Sequence, residues 1–97
     1  MKTINFSKKA AEQYSSLEKS KDKNNQFKAV KKTLYLMTSD LRHPSLNTHE
    51  YSELSKVYGH KIFESYAQNN TPGAYRIFWH YGPDKDEITI TSIQPHP

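Results

Sequence analysis

The 97-residue chain contains no cysteine. Disulfides, thiolate metal sites and a cysteine nucleophile are therefore excluded. Apolar residues are also scarce: hydrophobic types make up 34% and the mean hydropathy is -0.95. Only a small core can be built from them, although seven Tyr and four Phe bring large buried areas per residue. No stretch approaches the roughly 20 apolar residues of a membrane span. The opening "MKTINFSKKA" has no apolar run of signal-peptide length, so a cytoplasmic protein with no membrane partner is expected.

Acidic residues are short in one half only. Residues 1–40 hold nine Lys against Glu12, Glu18, Asp22 and Asp40, a balance of +5, whereas residues 41–97 balance at -1. The basic field belongs to the N-terminal half. It suits an anionic partner, or it is a solvated face that keeps the chain in solution.

The length allows a single domain spanning residues 1–97. "TINF" alternates as a short strand does, and Ser7 offers an N-cap to a following helix. Ala10, Tyr14 and Leu17 share one helical face. Lys21–Asn25 reads as a polar turn. Phe27, Val30, Leu34, Met37 and Leu41 then form a second apolar stripe, with Lys28, Lys31 and Lys32 off it. These segments predict a helical hairpin with a lysine-rich back. Arg42–His60 shows no sustained period and reads as a long connection, pinned by Leu46 and Leu54. Three strands are expected after it: Ile62–Gln68, Ala74–Gly82 and Glu87–Gln94, with Pro95 and Pro97 ending regular structure. The fold class is α+β: an N-terminal strand, a helical hairpin, then a three-stranded antiparallel meander with helices on one face and solvent on the other.

"AYRIFWHYG" is the best core strand, yet it contains Arg76 and His80. Alternation resolves this. Tyr75, Ile77, Trp79 and Tyr81 point to one side, against the helices; Ala74, Arg76, Phe78 and His80 point to the other. In the preceding strand Ile62, Glu64, Tyr66 and Gln68 share one side. A surface bearing Arg76, His80, Glu64 and Tyr66 has the groups that RNA cleavage by its own 2′-hydroxyl requires: a base, an acid and a cation for the phosphate. Aromatic rings there would stack on unpaired bases. Trp79, by its parity, belongs to the core. Arg76 and Glu64 can alternatively form a structural ion pair across two strands, and His80 reads best as a packing residue. His43, His49, His60, His80 and His96 show no metal-ligand spacing, so neither metal nor cofactor is expected.

"LRHPSL", "IFESYA", "GAYRIFWHYG" and "ITITSIQPHP" together resemble the RelE/ParE toxin superfamily across residues 41–96, with Tyr-Arg-Ile the most specific element. Over residues 1–40 the likeness rests on the order strand, helix, helix. The resemblance implies a small sheet with a helical hairpin, and the toxin half of a bacterial toxin–antitoxin pair. The RelE-like branch cleaves mRNA in the ribosome's decoding site without metal, acting as an mRNA interferase that inhibits translation. The ParE-like branch inhibits DNA gyrase without cleaving RNA. A degenerate toxin that only binds its antitoxin is the third reading. Members are usually monomeric when free and bind a cognate antitoxin protein. By the resemblance Arg76 contacts the scissile phosphate, His96 stands at the C-terminal catalytic position and Glu64 matches a strand acid, while Arg42, Lys56, Lys61 and Tyr66 are the expected RNA-binding residues. Two departures stand out: Tyr66 stands where some members have an arginine, and the C-terminal tyrosine of some nucleases is missing, with Pro97 the last residue.

Overall fold

A computed structural model describes residues 1–69 and 71–96; the expectation for Pro97 lies outside them. The elements are β1 (Thr3–Phe6), α1 (Lys8–Lys19), α2 (Asn24–Ser39), β2 (His49–Glu50), α3 (Ser52–Tyr58), β3 (Phe63–Tyr66), β4 (Tyr75–Tyr81) and β5 (Glu87–Pro95). Single 3₁₀ turns precede α2, at Lys21–Lys23, and β2, at Pro44–Leu46. The sheet order is β1-β5-β4-β3-β2. β3, β4 and β5 form the expected antiparallel meander, and β1 closes it by running parallel to β5, making the sheet mixed.

α1 begins where Ser7 caps it. The Ser7 hydroxyl accepts from the Ala10 N–H (3.0 Å) and donates to the Thr91 carbonyl (3.0 Å), which ties the helix start to β5. Further along, the Ile93 N–H donates to the Gln13 side-chain carbonyl at 2.7 Å. The two helices cover one face of the sheet. Ala10, Leu17, Val30, Leu34 and Met37 meet Tyr75, Ile77, Trp79, Ile88, Ile90 and Ile93 there. Trp79 is buried, stacks on Phe63 and donates its indole N–H to the Ser65 hydroxyl at 2.9 Å. α2 ends at Ser39, so Leu41 packs on the core from beyond the helix. Tyr81, expected in this core, is exposed because it stands where β4 leaves the sheet.

Two expectations are corrected. Arg42–His60 is not a structureless connection. Besides the 3₁₀ turn it contains β2 and α3, the latter carrying Glu53 in its first turn and Lys56 in its last, and stopped by Gly59 in the left-handed region (φ +78°). Leu46 is buried as expected, Leu54 only partly. Nor is the second face of the sheet open to solvent. The 47–60 segment folds over it: the Tyr51 ring meets Phe78 edge-on, the Tyr51 N–H donates to the Ile62 carbonyl, and the Ser55 hydroxyl accepts from the Ile62 N–H. Phe78, Ile62 and Glu64 are buried as a result.

A bulge in β5 sets the rest of the geometry. Phe78 pairs with Ser92 but Trp79 pairs with Ile90, so Thr91 is the extra residue; its hydroxyl donates to the Phe78 carbonyl at 3.0 Å. Before the bulge, even-numbered residues (Ile88, Ile90) face the helices. After it Ile93 does, and His96, whose N–H donates to the Ala74 carbonyl, falls on the opposite face.

Candidate functional site

Glu64, on β3, is 1% exposed, and a buried carboxylate requires partners. It has three. His49 Nε2 lies 2.8 Å from Oε1; His96 Nδ1 lies 3.2 Å from Oε2; Arg76 Nε lies 3.6 Å from Oε2. Each partner comes from a different element. His49 pairs directly with Glu64 in the β2–β3 register, Arg76 reaches it diagonally from β4, and His96 follows the end of β5. The two imidazoles are half-exposed, each with 47% of its side chain accessible. The carboxylate is thus hidden and its histidines form the surface.

Arg76 is buried and held on three sides. One terminal nitrogen donates to the Gln68 carbonyl at 2.6 Å, the guanidinium carbon stacks 3.6 Å from the centre of the Tyr66 ring, and Nε faces Glu64 without a hydrogen-bond partner of its own. Of the two alternatives posed by the sequence, the ion pair is present: Arg76 Nε faces Glu64 Oε2, and the same carboxylate meets both histidines. Tyr66 gives one ring face to Arg76 and has the His49 ring 6.0 Å away. Burial raises the Tyr51 phenol above its ordinary value, with Glu53 and Glu64 adding to the effect, so it is neutral at physiological pH.

Other expected residues are not gathered here. His80 lies four residues from Arg76 along β4, about 13 Å away at strand rise. It packs against the His60 ring, with centroids 4.7 Å apart, and its Nδ1 meets the Tyr81 carbonyl. Its reading as a packing residue fits this setting. Arg42 is exposed and lines a groove with Phe63, Trp79 and Tyr81, on the helix side of the sheet. Lys56 is exposed on α3, and Lys61 lines a separate hollow with His60 and His80. His49, in contrast, carries no sequence signal that marks it as a site residue. Its element is two residues long and its partner lies 15 positions away, so no local pattern marks it.

A carboxylate only accepts hydrogen bonds, so His96 Nδ1 carries the hydrogen of its contact and Nε2 is left to exchange a proton with solvent or a ligand. This is the arrangement of a histidine prepared for acid–base work. Among the described residues no group of three or more His, Cys, Asp or Glu is arranged to hold a metal ion. No helix among them is long and apolar enough to cross a membrane.

No protein-family model matches the sequence, and neither does any curated protein. The architecture does have a counterpart. The structure of the YoeB dimer from Staphylococcus aureus superposes with a TM-score of 0.64 at 17% identity, covering 99% of this chain and 98% of that one. At that identity the likeness is one of fold, over essentially the whole length of both chains. The α+β architecture, with its helical hairpin on a mixed sheet, is the RelE-like toxin fold that the strand motifs led us to expect.

Proposed function

We propose that the chain is the toxin of a toxin–antitoxin pair and that it cleaves mRNA on the ribosome. The observation that carries this reading is the buried Glu64 holding His96 by one ring nitrogen and leaving the other free at a half-exposed surface. Cleavage of RNA by its own 2′-hydroxyl needs that proton removed as the oxygen attacks phosphorus. His96 Nε2 is the base that takes it. Glu64 fixes the ring and balances the imidazolium that forms, as a carboxylate does for a catalytic histidine. Arg76 supplies positive charge beneath the phosphate, its plane set by Tyr66 and the Gln68 carbonyl. Lys56 on the covering segment and Lys61 just after it contact the RNA backbone; Arg42, across the sheet, has no part in this role. All of these groups belong to the protein, and no step is routed through a metal. A cognate antitoxin silences the toxin when the two are bound. The free toxin is monomeric in this reading, although the structural counterpart is a dimer.

The test is induced expression in a bacterial host with RNA 5′ ends mapped across translated messages, beside a His96→Gln control. New ends inside reading frames, absent in the control, are expected. Growth arrest with intact messages and a DNA-damage response would instead mark a gyrase inhibitor. No phenotype would mark an inactive relative that keeps only antitoxin binding.

A further inference from the structure

Cleavage moves two protons, and His96 accounts for one. The second must reach the oxygen that leaves phosphorus, or that oxygen departs as a costly alkoxide. We propose that His49 is the acid that supplies it, working opposite His96 across the shared carboxylate; the assignment rests on the RNA-cleaving reading above.

The two histidines occupy the two oxygens of Glu64, and their remaining nitrogens differ. His49 Nε2 meets Glu64 Oε1 at 2.8 Å while its Nδ1 meets the Asn47 carbonyl at 2.9 Å. A carboxylate and a carbonyl only accept, so both contacts are satisfied together when both nitrogens carry hydrogen. The ring has a proton to give. His96 spends one nitrogen on Oε2, and the other, whenever it is unprotonated, can accept. One buried anion thus sets a donor beside an acceptor, each half-exposed, and such a pairing marks the acid and the base of a site. Asn47, in the left-handed region at φ +46°, turns its carbonyl to His49 at the surface, where a leaving oxygen can displace it. The charged and titratable groups around the pair are Glu64 and Tyr66 on β3, Arg76 on β4 and Tyr51 ahead of α3. His80 cannot serve, being committed to His60 and Tyr81 farther along the sheet.

In the step, the 2′-oxygen loses its proton to His96 Nε2 and bonds to phosphorus. The bond from phosphorus to the 5′-oxygen breaks, and that oxygen takes the Nδ1 proton of His49. The products are a 2′,3′-cyclic phosphate and a 5′-hydroxyl. Solvent then returns a proton to His49 and removes one from His96.

The experiment uses the full chain on bacterial ribosomes programmed with a short message. The wild-type cut is located first, and a second message is made with sulfur in place of the bridging 5′-oxygen at that bond. A thiolate leaves without help from an acid. His49→Gln should cut the ordinary message roughly 10²–10⁴-fold more slowly than wild type, should lose the alkaline limb of the rate–pH profile, and should recover to within about tenfold of wild type on the sulfur message. His96→Gln should remain slow on both. If His49→Gln cuts the ordinary message at close to the wild-type rate, or is equally slow on both messages, His49 is not the acid. Recovery on the sulfur message also shows that the variant is folded. If the wild type cuts neither message, the RNA-cleaving reading itself fails, a result separate from either outcome for His49.

Discussion

Arg76, proposed above to steady the phosphate, is also one half of a buried ion pair. The sequence presented these as alternatives because alternation along a strand reveals a face but not the depth of its cover. Glu64 is buried beside its cross-strand partner Phe78, whose ring Tyr51 meets, because the 47–60 segment folds over the sheet, and nothing in the local pattern of that segment announces it. Truncating Arg76 would therefore do more than remove a phosphate contact. It would leave a buried carboxylate balanced only by two half-exposed histidines. Arg76→Ala should lower stability by about 3 kcal/mol, the lower end for breaking a buried pair. For a domain of this size that is ~12 °C or more in thermal midpoint. A melting curve within about 2 °C of wild type would show that the histidines carry the charge unaided. Loss of toxicity in that variant could follow from unfolding alone, which is why His96→Gln is the cleaner control.

At the scale of elements, periodicity was a good guide where it was long. The stripe through Val30, Leu34 and Met37 is buried as read, and so are Tyr75, Ile77 and Trp79. α3 escaped notice because its seven residues expose Val57 and half of Tyr58 and bury nothing fully. The pairing of β1 with β5 joins residues more than 80 positions apart, beyond the reach of any local signal. Those two strands meet α1 at Ser7, whose hydroxyl both caps the helix and donates to Thr91. Ser7→Ala should cost roughly 2 kcal/mol, the upper range for an N-cap, because two bonds are lost together. A thermal midpoint lower by about 8–16 °C is the expected reading, and a drop under about 2 °C would remove the joint role.

The whole molecule separates its lysine field from the Glu64 cluster. Lys8, Lys9, Lys19, Lys21, Lys23, Lys28, Lys31 and Lys32 are all exposed on the helical hairpin and the turn joining its helices. That hairpin covers the face of the sheet opposite Glu64. The lysine-rich back was legible as a charge imbalance, but its position relative to the site was not, since that depends on which face the helices take. A field on the far side can recruit and orient without entering the reaction. Binding to ribosomes should weaken at least ~10-fold between about 50 and 200 mM salt, as expected when several phosphates are neutralised. Lys28→Glu, Lys31→Glu and Lys32→Glu combined should flatten that dependence, measured by co-sedimentation. Binding indifferent to salt would reduce the lysines to a solvated face.

Thr91 gives the end of β5 something like a reading frame. Residues up to Ile90 are laid down in one phase against the helices, and those after the extra residue in the other. With that one added position His96 meets Glu64; without it, the same side chain would be presented to the helices. Substitutions along Ser92–Pro95 keep the phase, whereas losing or gaining a single residue there reverses it. For this stretch of chain, length is a stricter requirement than identity, and the distance from bulge to histidine specifies the site as surely as the histidine itself.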